Sequence, residues 1–371
     1  MNQSHLTHMQ KHLQEEGAQM AFITSKENLF YLTGLRADPH ERLMALFLFQ
    51  DHFFFVVPKM EEALVRAAGY EGDLLTYQDH ENVWDKISAS IEKLDLGEHL
   101  SILIEERIVT YARVQALQAL CASTSFADCE HVLMQRRLIK SDEELAILQE
   151  AAAFADAGIE FGAKALYTGI TELEVVAEIE YELKKQGIRE MSFQTTVLFG
   201  DHASSPHGKP GNRALKEGEF VLFDLGVVVG GYCSDITRTV AYGDVSEEQV
   251  HIYHTVLQAE EAAIEAVRPG FVIGDLDKTA RSIIIDAGYG DYFPHRLGHG
   301  LGIDVHEFPS MSENNTDILL EGMTFTIEPG IYVPGVAGVR IEDDVVVTAD
   351  GVESLTIFPK TLVTIPVRQM Q

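Results

Sequence analysis

The chain has 371 residues, 46% of them hydrophobic and 23% charged, the profile of an ordinary folded protein with room for two domains at about 150 residues each. Its 28 basic against 58 acidic side chains leave a formal charge of −30, a field that repels polyphosphate backbones and anionic membrane surfaces, so neither nucleic acid nor membrane is an expected partner. Three cysteines, Cys121, Cys129 and Cys233, form no CxxC pair and no disulfide framework, which makes a reducing cytoplasm the expected compartment.

The first twenty residues carry Gln, His, Lys and Glu throughout and lack the unbroken apolar core of a signal peptide. Met20 to Thr24 reads as a strand. Leu43 to Phe49 and Phe53 to Val57, separated by Gln50, Asp51 and His52, read as a hairpin. Helical patterns follow at Glu61 to Ala68 and Val83 to Leu94, then a strand at Leu100 to Ile104, which together predict a small α/β domain with a mixed sheet over residues 1–135. No apolar run approaches the roughly 20 residues that a membrane helix needs.

A second domain, residues 136–371, is expected to begin at the basic segment Arg136-Arg137-Leu138-Ile139-Lys140. Ser141 and Glu144 then have capping-box spacing, and Leu145, Leu148, Ala152, Ala155 and Ile159 recur at helical intervals. Thr171 and Glu174 start another capped helix, with Gly187 as its stop, and strands are expected at Phe193 to Phe199, Phe220 to Val229 and Tyr232 to Ala241. The same order then repeats. Ser246 with Gln249 caps a helix to about Val267, Asp275 starts the next, and strands return at Thr324 to Tyr332 and Val339 to Val347. Similarity accompanies the order: Lys216–Gly226 lies over Leu320–Gly330, which superposes Asp224 on Glu328, and Asp235 and Glu342 fall at nearly the same displacement. An internal duplication would bring two equivalent acids from each half together about a pseudo-two-fold axis.

Those acids carry the chemistry. Asp224 lies in an apolar strand and Asp235 lies beyond Gly230-Gly231, so a hairpin centred there is expected to oppose the two carboxylates. Glu328 and Glu342, centred on Gly335, are expected to do the same. Like charges opposed among Val and Phe are destabilising, and few basic residues lie nearby, Arg238 and Arg340 being the obvious ones. Divalent metal is the economical counter-charge, and four carboxylates suffice to bridge two ions. His299, in the glycine-rich run His295-Arg-Leu-Gly-His299-Gly-Leu-Gly, is a fifth ligand candidate. Oxygen ligands with one imidazole suit Mn, Co, Fe or Zn better than Ca or Mg. Asp343 and Asp344 are read as non-ligands. From the residues alone, His207 is equally a loop histidine or a catalytic one.

The segments Phe223-Asp-Leu-Gly, Tyr232-Cys-Ser-Asp-Ile-Thr-Arg-Thr, His295-Arg-Leu-Gly-His-Gly-Leu-Gly, Ile327-Glu-Pro-Gly-Ile-Tyr and Gly338-Val-Arg-Ile-Glu-Asp resemble the pita-bread metallopeptidases, specifically the bacterial Xaa-Pro dipeptidases (prolidases), over essentially the whole chain. The resemblance implies an α/β (α+β) fold with a creatinase-like N-terminal domain and a pita-bread catalytic domain. It implies two divalent ions per chain, manganese with cobalt or zinc as alternatives, held by Asp224, Asp235, His299, Glu328 and Glu342. It also implies hydrolysis of Xaa-Pro dipeptides by a hydroxide that the dinuclear site activates. His207 and His306 would contact the scissile carbonyl or the proline carboxylate, Arg340 would lie near the substrate, His295 would border its pocket, and Glu328 would double as proton shuttle. A homodimer is implied, in which the loop Asp38-Pro-His40-Glu41-Arg42 of one subunit reaches the other's site and offers His40 and Arg42 to substrate; a solvated charged loop is the alternative. Some family members place an arginine shortly after the His306 position, whereas Phe308-Pro-Ser-Met-Ser follows here, which leaves the group that holds the substrate carboxylate unassigned. An Xaa-Pro aminopeptidase acting on longer peptides and a non-catalytic peptide-binding scaffold are the competing readings.

Overall fold

The computed structural model describes residues 3–38 and 40–369, so Pro39 of the predicted 38–42 loop lies outside the described residues. The chain divides into two compact units, Met1–Arg137 and Leu138–Gln371. In the first, the elements run α1 (Gln3–Glu15), β1 (Met20–Ile23), α2 (Lys26–Thr33), β2 (Ala45–Phe49), β3 (Phe53–Pro58), α3 (Glu62–Ala67), β4 (Asp73–Tyr77), α4 (Val83–Ile91), β5 (His99–Ile104), α5 (Tyr111–Gln118), β6 (Ser123–Asp128) and α6 (Glu130–Leu138). The strands form one sheet in the order β4-β3-β2-β1-β5-β6. It is mixed, because β1 pairs antiparallel with β2 and parallel with β5. Phe22, Phe47, Val56, Ile102 and Leu117 form its core.

The second unit repeats one plan. Helices α7 (Asp142–Ala165) and α8 (Glu172–Lys185) precede β7 (Thr196–Phe199), β8 (Glu219–Leu225), β9 (Val228–Val229), β10 (Tyr232–Cys233) and β11 (Ile236–Tyr242). Helices α9 (Glu247–Ala266) and α10 (Ile273–Asp286) then precede β12 (Gly298–Gly300), β13 (Glu307–Met311), β14 (Thr324–Ile327), β15 (Gly330–Val333), β16 (Ala337–Arg340), β17 (Asp343–Thr348), β18 (Gly351–Ser354) and β19 (Thr364–Ile365). Three helices open on complete capping boxes, at Ser141 with Glu144, Thr171 with Glu174 and Ser246 with Gln249. Each box satisfies otherwise orphaned N–H groups and contributes about 1 kcal/mol. Helix α10 starts at Ile273, two residues before the expected Asp275, with no side-chain cap.

Each helix pair covers its own sheet. Ile159, Val175 and Ile179 pack on Val221, Phe223 and Ile236 of the sheet β19-β11-β8-β7. Ile252, Val256 and Leu276 pack on Phe325, Ile327 and Val345 of the sheet β13-β12-β14-β17-β18. Phe220 and Ala241 on the other face of the first sheet join the core of the second half, and β11 meets that half directly through the bridge Thr237–Glu342.

The two hairpins differ in register. In the second, Gly330 pairs with Arg340 and Ile327 with Asp343, so the register carries Glu328 opposite Glu342 as expected. In the first the expectation fails. Gly230 and Gly231, with φ of 55° and 92°, make a two-residue turn of the kind that needs positive φ at both positions. Thr237 then stands opposite Asp224, and Asp235 falls in the break between β10 and β11. Glu328 and Glu342 also sit at strand breaks, between β14 and β15 and between β16 and β17. Leaving the ladder frees these three acids from strict alternation.

Candidate metal centre and active site

A cavity of about 660 Å³ opens over the meeting line of the two halves, and Asp224, Asp235, His295, His299, His306, Glu328, Arg340, Glu342 and His207 all line it. Among the described residues, Asp235, His299 and Glu342 present ligand atoms within 4.8 Å of one another, and all three are buried. Glu328 stands beside them, its Oε1 at 3.4 Å from His299 Nε2, while Asp235 Oδ2 lies at 3.7 Å. Asp224 is turned aside to a guanidinium nitrogen of Arg340. The five sequence candidates thus share one wall, three of them in ligating proximity.

The charge state of this wall is strained. Burial first, then Glu342 and Asp224, raises Asp235 well above the carboxylate range. Burial and Glu342 raise Glu328 likewise, and burial with Asp224 brings Glu342 to about 7. Asp235 Oδ1 is buried and has no hydrogen-bond partner among the described residues. A buried anion oxygen without a donor is a costly arrangement that a cation relieves. The imidazole fits the same purpose. Burial, then His306, lowers His299 to about 3. Its Nδ1 lies 3.2 Å from the Gly300 carbonyl, which can only accept, so the proton sits there and the Nε2 lone pair faces the carboxylates. The donor set therefore fits divalent metal.

Several residues that hold the wall were missed in the sequence. Thr237 donates from Oγ1 to Glu342 Oε2 at 2.6 Å and accepts from Arg340 Nε at 3.0 Å. Arg340 also donates from Nη1 to the Tyr332 hydroxyl at 2.8 Å, so three of its nitrogens are engaged by protein oxygens. Hairpin register was the available signal: a two-residue turn at Gly230-Gly231 sets Thr237 opposite Asp224, and Tyr332 lies two residues beyond Gly330, the partner of Arg340. Below them Arg238 donates to the Glu342 carbonyl and, at 2.6 Å, to Asp343 Oδ1, while Lys360 lies 2.8 Å from Asp343 Oδ2. Asp344 Oδ2 accepts from the Asp235 amide at 2.8 Å. Asp343 and Asp344 thus brace the ligand-bearing backbone from behind.

The histidines divide by environment. His306 stacks edge-on to His299, with ring centroids 4.2 Å apart, and like His207 it is exposed at the cavity mouth. His295 accepts at Nε2 from the Tyr332 hydroxyl at 3.0 Å and donates from Nδ1 to the Arg296 carbonyl at 2.8 Å. Burial lowers it to about 4, so its neutral form contributes stability that is present above the unfolded value near 6.5 and is lost as pH falls toward 4. Ring-nitrogen NMR, assigned with His295→Gln, is expected to show one neutral tautomer from pH 8 to 5; a midpoint near 6.5 contradicts this. His40 is exposed with φ 55°, and Arg42 forms a two-pronged pair with Asp79 at 2.8 and 3.0 Å.

Residues 146–349 match metallopeptidase family M24, and residues 5–139 match the creatinase/prolidase N-terminal domain. The chain belongs to metallopeptidase family M24. YkvY of Bacillus subtilis (strain 168), provisionally named a dipeptidase, is 56% identical over 352 residues, covering 95% of this chain and 97% of that protein. A recombinant prolidase from Thermococcus sibiricus superposes with a TM-score of 0.91 at 34% identity, over 97% of this chain and 98% of its own. An Xaa-Pro dipeptidase from Bacillus anthracis gives 0.89 at 30% identity, over 98% and 100%. As an M24 member with a creatinase-type N-terminal domain, the chain has the pita-bread fold that its repeated halves imply, and the family implies divalent metal and a peptide substrate. Among the described residues no helix is long and apolar enough to cross a membrane.

Proposed function

We propose that the chain is a cytoplasmic Xaa-Pro dipeptidase that holds two divalent ions, manganese foremost, on Asp224, Asp235, His299, Glu328 and Glu342. The observation that carries this reading is the strained acid wall with its lone-pair imidazole at one side of a cavity, and histidines at its mouth. The names of the two superposed structures support the Xaa-Pro preference. When bound, the ions supply Lewis acidity and a nucleophile at neutral pH. Glu328, beside His299 on the cavity wall, takes up a proton and returns it to the departing amine. His306 and His207 donate toward the developing oxyanion or the proline carboxylate. Arg340 keeps Asp224 and Tyr332 oriented on the cavity wall. In a homodimer the loop carrying His40 and Arg42 closes the partner subunit's cavity and limits substrate length.

Metal-reconstituted protein is expected to carry two ions per chain by elemental analysis and to release proline from an Xaa-Pro dipeptide but not from the matching tripeptide. Saturation at one ion defeats the dinuclear assignment, and ready tripeptide cleavage assigns the aminopeptidase activity instead. A monomer in sedimentation that still rejects tripeptides removes the loop's role.

A further inference from the structure

His207 reaches the cavity on a long irregular segment. Between the end of β7 at Phe199 and Gly211 the chain makes a short 3-10 turn, Gly200–Ser204, and then carries Pro206, His207, Gly208 and Lys209 along the cavity wall. A segment of that length without regular hydrogen bonding costs ordering entropy unless something ties it down. One side chain does so at three points. Glu172, the first residue of α8, is fully buried. Its Oε1 accepts from the Phe199 amide at 2.9 Å, at the segment's start, and its Oε2 accepts from the Gly211 amide at 2.9 Å, at its end. Between them His202 Nδ1 lies 2.8 and 2.9 Å from the two oxygens. A carboxylate can only accept, so Nδ1 of His202 carries the proton and donates.

The middle of the segment is held from the other side. Gly338 of β16 comes so close that a Cβ there would lie 1.7 Å from the Ala203 carbonyl oxygen, which presses the 3-10 turn against the strand that bears Arg340. Arg213 adds a tie beyond Gly211, donating to Asp201 and Glu219 at 2.7 Å each. The carboxylate at the root is nonetheless the group that joins both ends.

We propose that Glu172 is a positioning residue that sets His207 at the cavity wall by tying together the two ends of the 200–210 segment. The inference deepens the role proposed above for His207 and rests on it. Displacing a reacting group by about 1 Å costs up to 10²-fold in turnover, so a loosened tether is felt at the chemistry although Glu172 touches no substrate.

The test is a double-mutant cycle on kcat/KM for an Xaa-Pro dipeptide, with metal content and melting temperature for every variant. Glu172→Gln is expected to lower kcat/KM about tenfold in the wild-type background and less than twofold in His207→Ala, with metal content unchanged. Equal losses in both backgrounds overturn the proposal, because a merely structural effect adds. Amide hydrogen exchange gives a readout independent of substrate: residues 200–210 are expected to exchange faster in Glu172→Gln while α8 and β8 stay protected, and an unchanged segment overturns the tether. If the wild type is inactive on Xaa-Pro dipeptides but the exchange result holds, the proposed substrate fails and the tether stands. Should Glu172→Gln not fold, His202→Ala, which removes the middle tie from a partly exposed residue, enters the same cycle with the same criteria.

Discussion

Asp235→Asn is expected to abolish metal retention and to lower hydrolysis by roughly a thousandfold or more, the scale of several kcal/mol that metal chemistry supplies. The same substitution is expected to raise the melting temperature of the metal-free protein. Both signs follow from one environment, since Asp235 faces Glu342, Asp224, Asp344 and Glu328 with a buried oxygen that has no hydrogen-bond partner among the described residues. Removing its charge relieves repulsion in the empty site and removes a ligand from the filled one. Asp343→Asn provides the contrast within the same cluster. Burial alone would raise Asp343, but Arg238 and then Lys360 bring it below the ordinary carboxylate value. Neutralising it leaves those cations short of a counter-charge in the interior, a loss of about 3–5 kcal/mol of stability. Melting curves with and without metal, beside elemental analysis, separate the two variants. Full metal occupancy in Asp235→Asn, or a lower melting temperature of its metal-free form, excludes this account.

His306→Ala is the second large effect. Turnover is expected to fall by roughly 10²-fold or more, the usual scale for one oxyanion donor, with metal content and melting temperature near the wild-type values. The reasoning is geometric. His306 sits edge-on to His299 at the cavity mouth, exposed, whereas His299 is buried with its lone pair toward the acids. Two imidazoles in contact are thus differentiated, one for holding and one for reaching. An exposed ring contributes little to folding, so a structural role predicts a small activity change, and a ligand role predicts that activity and metal are lost together. Measuring all three quantities on one variant decides among these outcomes.

How far the sequence reveals such a site depends on how local each signal is. The capping boxes at Ser141, Thr171 and Ser246 are legible because cap and partner lie three residues apart and satisfy each other. The repeat is legible because both halves retain an acid at the end of an apolar strand. The second hairpin was placed in its true register, but the first was not: the turn at Gly230-Gly231 was placed correctly, yet as a two-residue turn it sets Thr237 rather than Asp235 opposite Asp224, and the chain leaves the ladder before Asp235. Thr324 to Tyr332 was read as one continuous strand, although Pro329-Gly330 directly after Glu328 marks the interruption that the structure shows. Helix α1 was also missed, because only Leu6, Met9 and Leu13 form its buried stripe amid polar residues. The pairing of Asp224 with Arg340 and the tether at Glu172 join residues far apart in the chain, and only the folded form brings them together.

The bridge between Thr237 and Glu342 gives the cluster an order of assembly. Its three closest members, Asp235, His299 and Glu342, come from both halves, and His299 and Glu342 follow Asp235 in the chain. A polypeptide leaves the ribosome N-terminus first. During synthesis Asp224 and Asp235 therefore emerge well before their counterparts and have, at that moment, neither the imidazole nor the opposing acids. The full donor set exists only once the strands that flank Glu328 and Glu342 have docked on the first half, so a nascent chain that has folded only that half holds two of the five donors.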